Sequence, residues 1–234
     1  MNKNGFTLIE ILIAVLIGLV VMGAIYGAMS MAQRSSASVE RKVVTQQDTR
    51  AALDLMALEI RHASFNPRRS TTIWDFSCGS LYPAPNVALK GIQRADTNRI
   101  VVLMDLNESG VMGANNEIIG YTYDGVNTIS RQTNCGGTMQ TILGPALTDA
   151  DATTAYSTRV VNAAAGIPLF RYFDRLGNDI TASVVATPIT FIPQIRMIRI
   201  TIVAETEAVD PITNQAKTMT YSTDVIVRNH VLSP

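Results

Sequence analysis

Histidine is almost missing from this chain, with only His62 and His230, and cysteine is as scarce, with only Cys78 and Cys135. No H-E-x-x-H, no C-x-x-C and no glycine-rich loop behind a strand pattern occurs, so the usual zinc, redox and nucleotide signatures are excluded. No Ser or Cys motif stands beside either histidine, and scattered Ser and Asp residues do not make a triad, which is a matter of geometry. The chain is therefore expected not to be an enzyme. It also lacks an excess of either charge: Lys+Arg 19 balance Asp+Glu 19. Overall charge gives no reason to expect a polyanion partner. The small cluster Arg61, His62, Arg68 and Arg69 has no repeated aromatic interleave and reads as a solvated face, so no nucleic acid is expected. Proline is absent before Pro67, which leaves nothing strong enough to break a helix ahead of it. Only 16% of residues are charged against 47% hydrophobic, which argues against disorder.

What is present is one long apolar run, from Phe6 to about Ala32. Spanning a bilayer takes roughly 20 residues, so the run suffices. It follows a short leader with one positive charge, Lys3, and contains one ionisable residue, Glu10, near its head. A carboxylate inside hydrocarbon costs on the order of 2.5–3.5 kcal/mol, so Glu10 reads as a functional residue with a partner. Basic residues also follow the run, at Arg34, Arg41 and Lys42, so charge counting alone does not set the orientation.

The helical pattern continues past the apolar run. Gln33 to Arg50 is polar and rich in helix formers, and then Ala52, Leu53, Leu55, Met56, Ile60 and Ala63 recur at three- and four-residue steps. Asp54, Glu59 and Arg61 mark the polar face. The reading is one helix from Phe6 to about His62, on the order of 85 Å long. Ser64-Phe65-Asn66-Pro67 ends it. The chain then divides into a leader (1–5), a membrane half of the helix (6–32), an amphipathic half (33–63), a connecting loop region (64–99) and a β-sheet domain (100–234). Ile100 to Met104 reads as a buried strand, Asp124-Gly125 as a hairpin turn, and Met197 to Ala204 as an alternating strand that returns over Thr218 to Val227.

Two further features carry chemistry. Cys78 and Cys135 both lie beyond the apolar run; a disulfide between them is expected if that part lies outside the cytoplasm, and two buried free thiols are the alternative. Asp105-Leu106-Asn107-Glu108-Ser109-Gly110 matches the first half of a calcium loop, with Asp105, Asn107 and Ser109 as oxygen ligands. The twelfth position is Asn116, and Glu117 falls one residue late, so any Ca2+ site would be weak. A plain Asp/Asn/Ser/Gly turn is the alternative.

The stretch Gly5-Phe6-Thr7-Leu8-Ile9-Glu10 resembles the class III signal of type IV pilins and pseudopilins. The resemblance implies an α+β, type IV pilin-like fold, a long N-terminal helix packed on an antiparallel sheet domain. It implies that prepilin peptidase cuts between Gly5 and Phe6, that Phe6 is then N-methylated, and that Glu10 faces the N-terminal ammonium of a neighbouring subunit. A final long hairpin ending in Val225-Ile226-Val227-Arg228-Asn229 looks similar to the C-terminal end of PilW-like minor pilins and of J-type pseudopilins of type II secretion, and Thr49 to Arg61 also looks PilW-like. Many major pilins kink this helix with a proline; its absence favours a minor subunit, and the presence of Glu10 places that subunit below the filament tip. Implied partners are other major and minor pilins, the prepilin peptidase, the inner-membrane assembly platform and, before assembly, membrane lipid. The implied location is the bacterial inner membrane, single-pass, with a periplasmic C-terminal domain, and later a cell-surface or periplasm-spanning filament. The rivals are a J-type pseudopilin, an adhesin or DNA-uptake minor pilin, and a secreted protein whose signal peptide is cut among the small residues of Gly23 to Ala28.

Overall fold

A computed structural model of the chain describes residues 7–79, 81–82, 85–145, 158–206, 209–210 and 213–232. Its spine is α1, Leu8–Arg61, a single helix of 54 residues, about 80 Å long at its usual rise. It begins at Thr7, an N-cap, and gives way at His62. Along its first part every apolar side chain from Leu8 to Met31 is exposed. Only from Ser38 onward does a buried stripe appear, at Ser38, Thr45, Thr49, Ala52, Leu53, Met56, Ala57 and Ile60. Those steps keep one face of a 3.6-residue helix turned inward.

Two antiparallel sheets receive that stripe. The first is a five-stranded meander in chain order: β1 (Ile92–Ala95), β2 (Arg99–Leu103), β3 (Ile118–Tyr123), β4 (Ile129–Thr133) and β5 (Gln140–Leu143). Leu103 faces Ile118 across β2–β3, and Tyr123 faces Ile129 across β3–β4. The β3–β4 turn is held by Asp124, whose carboxylate accepts the N–H groups of Val126, Asn127 and Thr128 at 2.8, 2.9 and 3.0 Å. Gly125, at φ +82°, supplies the left-handed residue that this turn needs.

The second sheet has β8 (Met197–Thr206) at its centre. On one side β8 pairs along its length with β9 (Thr218–Ile226); on the other it pairs with β6 (Thr158–Val160) near one end and β7 (Phe170–Phe173) near the other. Ile198, Ile200, Ile202 and Ala204 are fully buried, as the alternation of a half-covered strand requires. Short helices α2 (Asn162–Ala165), α3 (Thr181–Ala186), α4 (Pro188–Phe191) and α5 (Arg228–Leu232) close the gaps. The helix packs on both β8 and β9 and also meets β5 and β6.

The first sheet is covered on both faces, which accounts for the unbroken apolar run in β2. Ile100 and Val102 point into the main core with Met56 and Ile60 of α1. Val101 and Leu103 point the other way, into a second cluster with Ile73, Trp74, Cys78, Leu81 and Tyr82. A strand buried on both faces reads as continuous hydrophobicity rather than alternation.

Two readings of the sequence change here. The connecting region 64–99 holds a strand, β1, because Gly91 lets the chain pass close under Ser64, where a Cβ would meet the Ser64 backbone. The stretch closing at Asn229 does not stay extended: after Ile226 it turns into α5, which buries His230.

Candidate functional site

The site is α1 itself, in two halves with different tasks. Its exposed half starts with a capping box. The Thr7 N–H and hydroxyl both donate to Glu10 Oε2, at 2.8 and 2.9 Å, and the Glu10 N–H donates back to Thr7 Oγ1 at 3.4 Å. This satisfies orphan donors of the first turn and places the carboxylate at the positive end of the helix dipole. Glu10 therefore has a local partner besides any in a neighbouring chain, and the Thr7-x-x-Glu10 spacing in the sequence is its signature. Gly5 and Phe6, the expected cut site, lie outside the described residues.

Beyond Glu10 the helix is long and apolar enough to cross a membrane, and none of its most apolar window is buried. Added Cβ atoms at Gly18, Gly23 or Gly27 would meet nothing within 4 Å. These small positions therefore stand open on the uncovered half of the helix.

The second half is held by polar attachments spaced along its length. First, Ser38 Oγ donates to Asp210 Oδ2 at 3.0 Å, Lys217 Nζ reaches the same oxygen at 3.2 Å, and Arg41 donates to the Val209 carbonyl at 2.9 Å. The tip of the β8–β9 hairpin is thereby clasped to the helix just past its apolar run. Next, Thr158 of β6 donates to Asp48 at 3.2 Å. Then Glu59 receives a two-pronged bond from Arg131 of β4, at 3.0 and 2.6 Å, and a bond from the Tyr121 hydroxyl of β3. Glu59 and Arg131 are each only 15% exposed. Burial, then the Glu59 carboxylate, raises the Tyr121 phenol, and the Glu59 bond raises the Arg131 guanidinium. Glu59, expected from its spacing on the polar face of the helix, is the helix's charged plug into the meander.

The last attachment closes the helix end. Ser64 sits at φ +64°. Its hydroxyl accepts the Gly91 N–H at 3.0 Å and lies 2.8 Å from His230 Nδ1. His230 Nε2 lies 2.9 Å from the Ile192 carbonyl, which can only accept. The proton is therefore on Nε2, and Nδ1 accepts from Ser64. Burial first, and then Lys90 and Arg196, lower the His230 pKa to about 4. No serine motif stands near His230 in the sequence; the fold brings Ser64 and His230 together across 166 positions. Both are buried, at 1% and 0% exposure. Their bonding capacity is used internally, so the pair is a latch between α1 and α5.

Cys78 and Cys135 are joined in a disulfide, with Cα atoms 5.0 Å apart. It ties the segment carrying Trp74 to the β4–β5 connection. At Asp105 the two carboxylate oxygens accept the Ser109 N–H at 3.0 Å and the Gly110 N–H at 2.9 Å. Asn107 also accepts from Ser109, whose hydroxyl donates to the Val111 carbonyl. Glu117 Oε2 accepts from Gly113 and Ala114 in a separate turn, while its buried Oε1 has no partner. Among the described residues no group of three or more His, Cys, Asp or Glu is placed to hold a metal ion.

Residues 1–26 match the prokaryotic N-terminal methylation motif. Residues 39–225 match the family described as prepilin peptidase-dependent protein B. No curated protein and no solved structure matches the chain.

Proposed function

The chain belongs to the prepilin peptidase-dependent protein B family, and from that premise we propose that it is a minor type IV pilin of PilW-like type, a subunit that takes part in priming pilus assembly. The observation that carries this reading is the division of α1. One unbroken helix offers a naked apolar half to lipid or to other helices and roots its other half in a domain. A subunit of this shape can be drawn from a membrane into a filament without refolding, since the domain takes no part in shielding the apolar half. The family is one of structural, pilin-like proteins, and the attachments along α1 have structural tasks.

In this reading prepilin peptidase cuts between Gly5 and Phe6, and Phe6 becomes the methylated terminus. Removal of the leader leaves Thr7 and Glu10 in place, so the capping box persists while the new ammonium forms beside it. Glu10 has accepting capacity left after its bonds to Thr7, because a carboxylate offers about four lone-pair sites. We assign that capacity to the terminal ammonium of a neighbouring subunit, an attraction that strengthens in low dielectric. The domain is placed in the periplasm, and the partners are other major and minor pilins and the inner-membrane assembly platform.

The test is the intact mass and N-terminal peptide mass of the membrane-extracted protein. A terminus at Phe6 with one added methyl is expected. A terminus near Ser30 would sink the reading and leave a secreted domain. Glu10→Ala is expected to insert and be cleaved normally but to drop out of filaments, read by immunoblot of sheared fractions. Normal incorporation would remove Glu10 from the assembly step.

A further inference from the structure

The basic residues that follow the apolar run are left unexplained by assembly. Arg34, Arg41 and Lys42 stand on the side where a membrane protein usually carries fewest. The fold gathers them. Arg34, Ser38 and Arg41 lie on one helix face, since steps of four and seven residues return to it. That face is the one covered by the β8–β9 hairpin tip, through Ser38–Asp210 and Arg41–Val209. Arg34 is exposed and lies about one helical turn closer to the apolar run than Ser38. Lys42 is exposed about two helical turns further from the apolar run, and Lys217 at the hairpin base adds a further cation. Among the described residues at this level, Glu40 and Asp210 are the acids, and Asp210 is already engaged by Ser38 and Lys217. The tip also presents Val209, 48% exposed, with exposed Thr213, Asn214 and Gln215.

The distances fix what this collar faces. With Ile11 to Met31 filling a hydrocarbon core of roughly 30 Å, Arg34 falls in the headgroup layer. Ser38 is then roughly 10 Å beyond the hydrocarbon edge, so the hairpin tip rests on the headgroups. We propose that Arg34, Lys42 and the β8–β9 tip form a docking surface for anionic phospholipid, which holds the domain against the membrane until the subunit is extracted. The inference rests on the membrane-anchored reading above. Its logic is continuity with the apolar span together with charge complementarity, as each cation near an anionic surface adds attraction that salt screens. In this position Arg41 keeps its bond to Val209 and only its remaining donors reach lipid.

The experiment uses the full chain with Asn214→Cys carrying a fluorophore, the native cysteines being paired. The protein is reconstituted into phosphatidylcholine vesicles with or without about a third phosphatidylglycerol, each doped with a headgroup quencher. Anionic lipid is expected to raise quenching about twofold, an effect lost at 1 M salt and in Arg34→Glu/Lys42→Glu. Equal quenching in both vesicles, with the protein floating in both, overturns the lipid surface and assigns the collar to a neighbouring subunit. Failure to float with either vesicle overturns the membrane-anchored reading and this inference with it.

Discussion

The two halves of α1 are made of the same backbone and solve opposite problems. Between Leu8 and Met31 the helix is apolar on every side apart from Glu10 and Ser30, and every apolar side chain is exposed. Between Ser38 and Ile60 only a stripe is apolar, and it is covered. The first half has no stable face in water and depends on lipid or on other helices. The second half depends on this chain's own sheets, and where it needs polar anchorage it reaches residues far away in sequence. The contrast teaches that the domain contributes nothing to the stability of the membrane half, and the membrane half nothing to the core.

Removing the disulfide should damage the domain most. It closes a loop of 57 residues, worth about 4 kcal/mol in the chain-entropy model. Cys78→Ser should therefore lower the urea midpoint strongly without reductant and make the protein insensitive to reductant, all with α1 still in the membrane. Equal midpoints for wild type with and without reductant would contradict it.

A paired truncation sharpens the comparison directly. Met56 is fully buried, so Met56→Ala should cost about 2–5 kcal/mol of domain stability. Leu16 is 62% exposed, so Leu16→Ala should leave the domain's unfolding curve unchanged. If both substitutions shift the curve alike, the halves are not independent.

Acid should act on the domain half alone through His230. Its pKa falls from 6.5 in the unfolded chain to about 4 when folded. The unfolded state therefore binds the proton first as pH drops. The latch contributes fully above pH about 6.5, and its contribution is lost as pH falls toward 4, up to about 3 kcal/mol in all. Denaturant titrations between pH 7 and 4 should show this slope in wild type and a flatter one in His230→Gln.

Calcium stands at the small end. Asp105 and Glu117 already accept four backbone N–H bonds, which leaves Glu117 Oε1 as the one carboxylate oxygen of the pair without a hydrogen bond to offer an ion. At millimolar ion, binding of comparable weakness adds about 0.4 kcal/mol, or a rise of roughly 1 °C in Tm. A rise of several degrees, reversed by chelator, would show a tighter site.

Much of the architecture was legible because it is periodic. The stripe of α1, the hairpin at Asp124-Gly125 and the alternation of β8 each repeat a short pattern, and local sequence is enough to see them. The second core was legible only in part: Trp74, Phe76 and Tyr82 stand out in the sequence as apolar anchors, but Ile73 and Leu81 join them from loops, where burial has no period. Nor were the attachments. Glu59 with Arg131, and Ser64 with His230, are separated by 72 and 166 positions, and a charged or polar residue on a helix looks the same whether it faces water or a buried partner. The small strands β5 and β6 were too short to show alternation, and they pair only because the long strands beside them are already fixed.

The meander and the helix clasp also differ in how soon they can exist. Each strand of β1 to β5 pairs with its neighbour in sequence, so this sheet closes through short loops and can form early. The clasp between Ser38 and Asp210 joins positions 172 apart, and long closures wait for more chain. During synthesis the apolar half of the helix therefore emerges, and is committed to the bilayer, well before β8 and β9 exist for its other half to lie on. For that interval the meander can cover only the Met56–Ile60 end of the amphipathic half, and the part of the stripe that β8 and β9 will lie on stays bare beside the membrane. Of all moments in the life of this protein, that is when a chaperone or a protease has most to grasp.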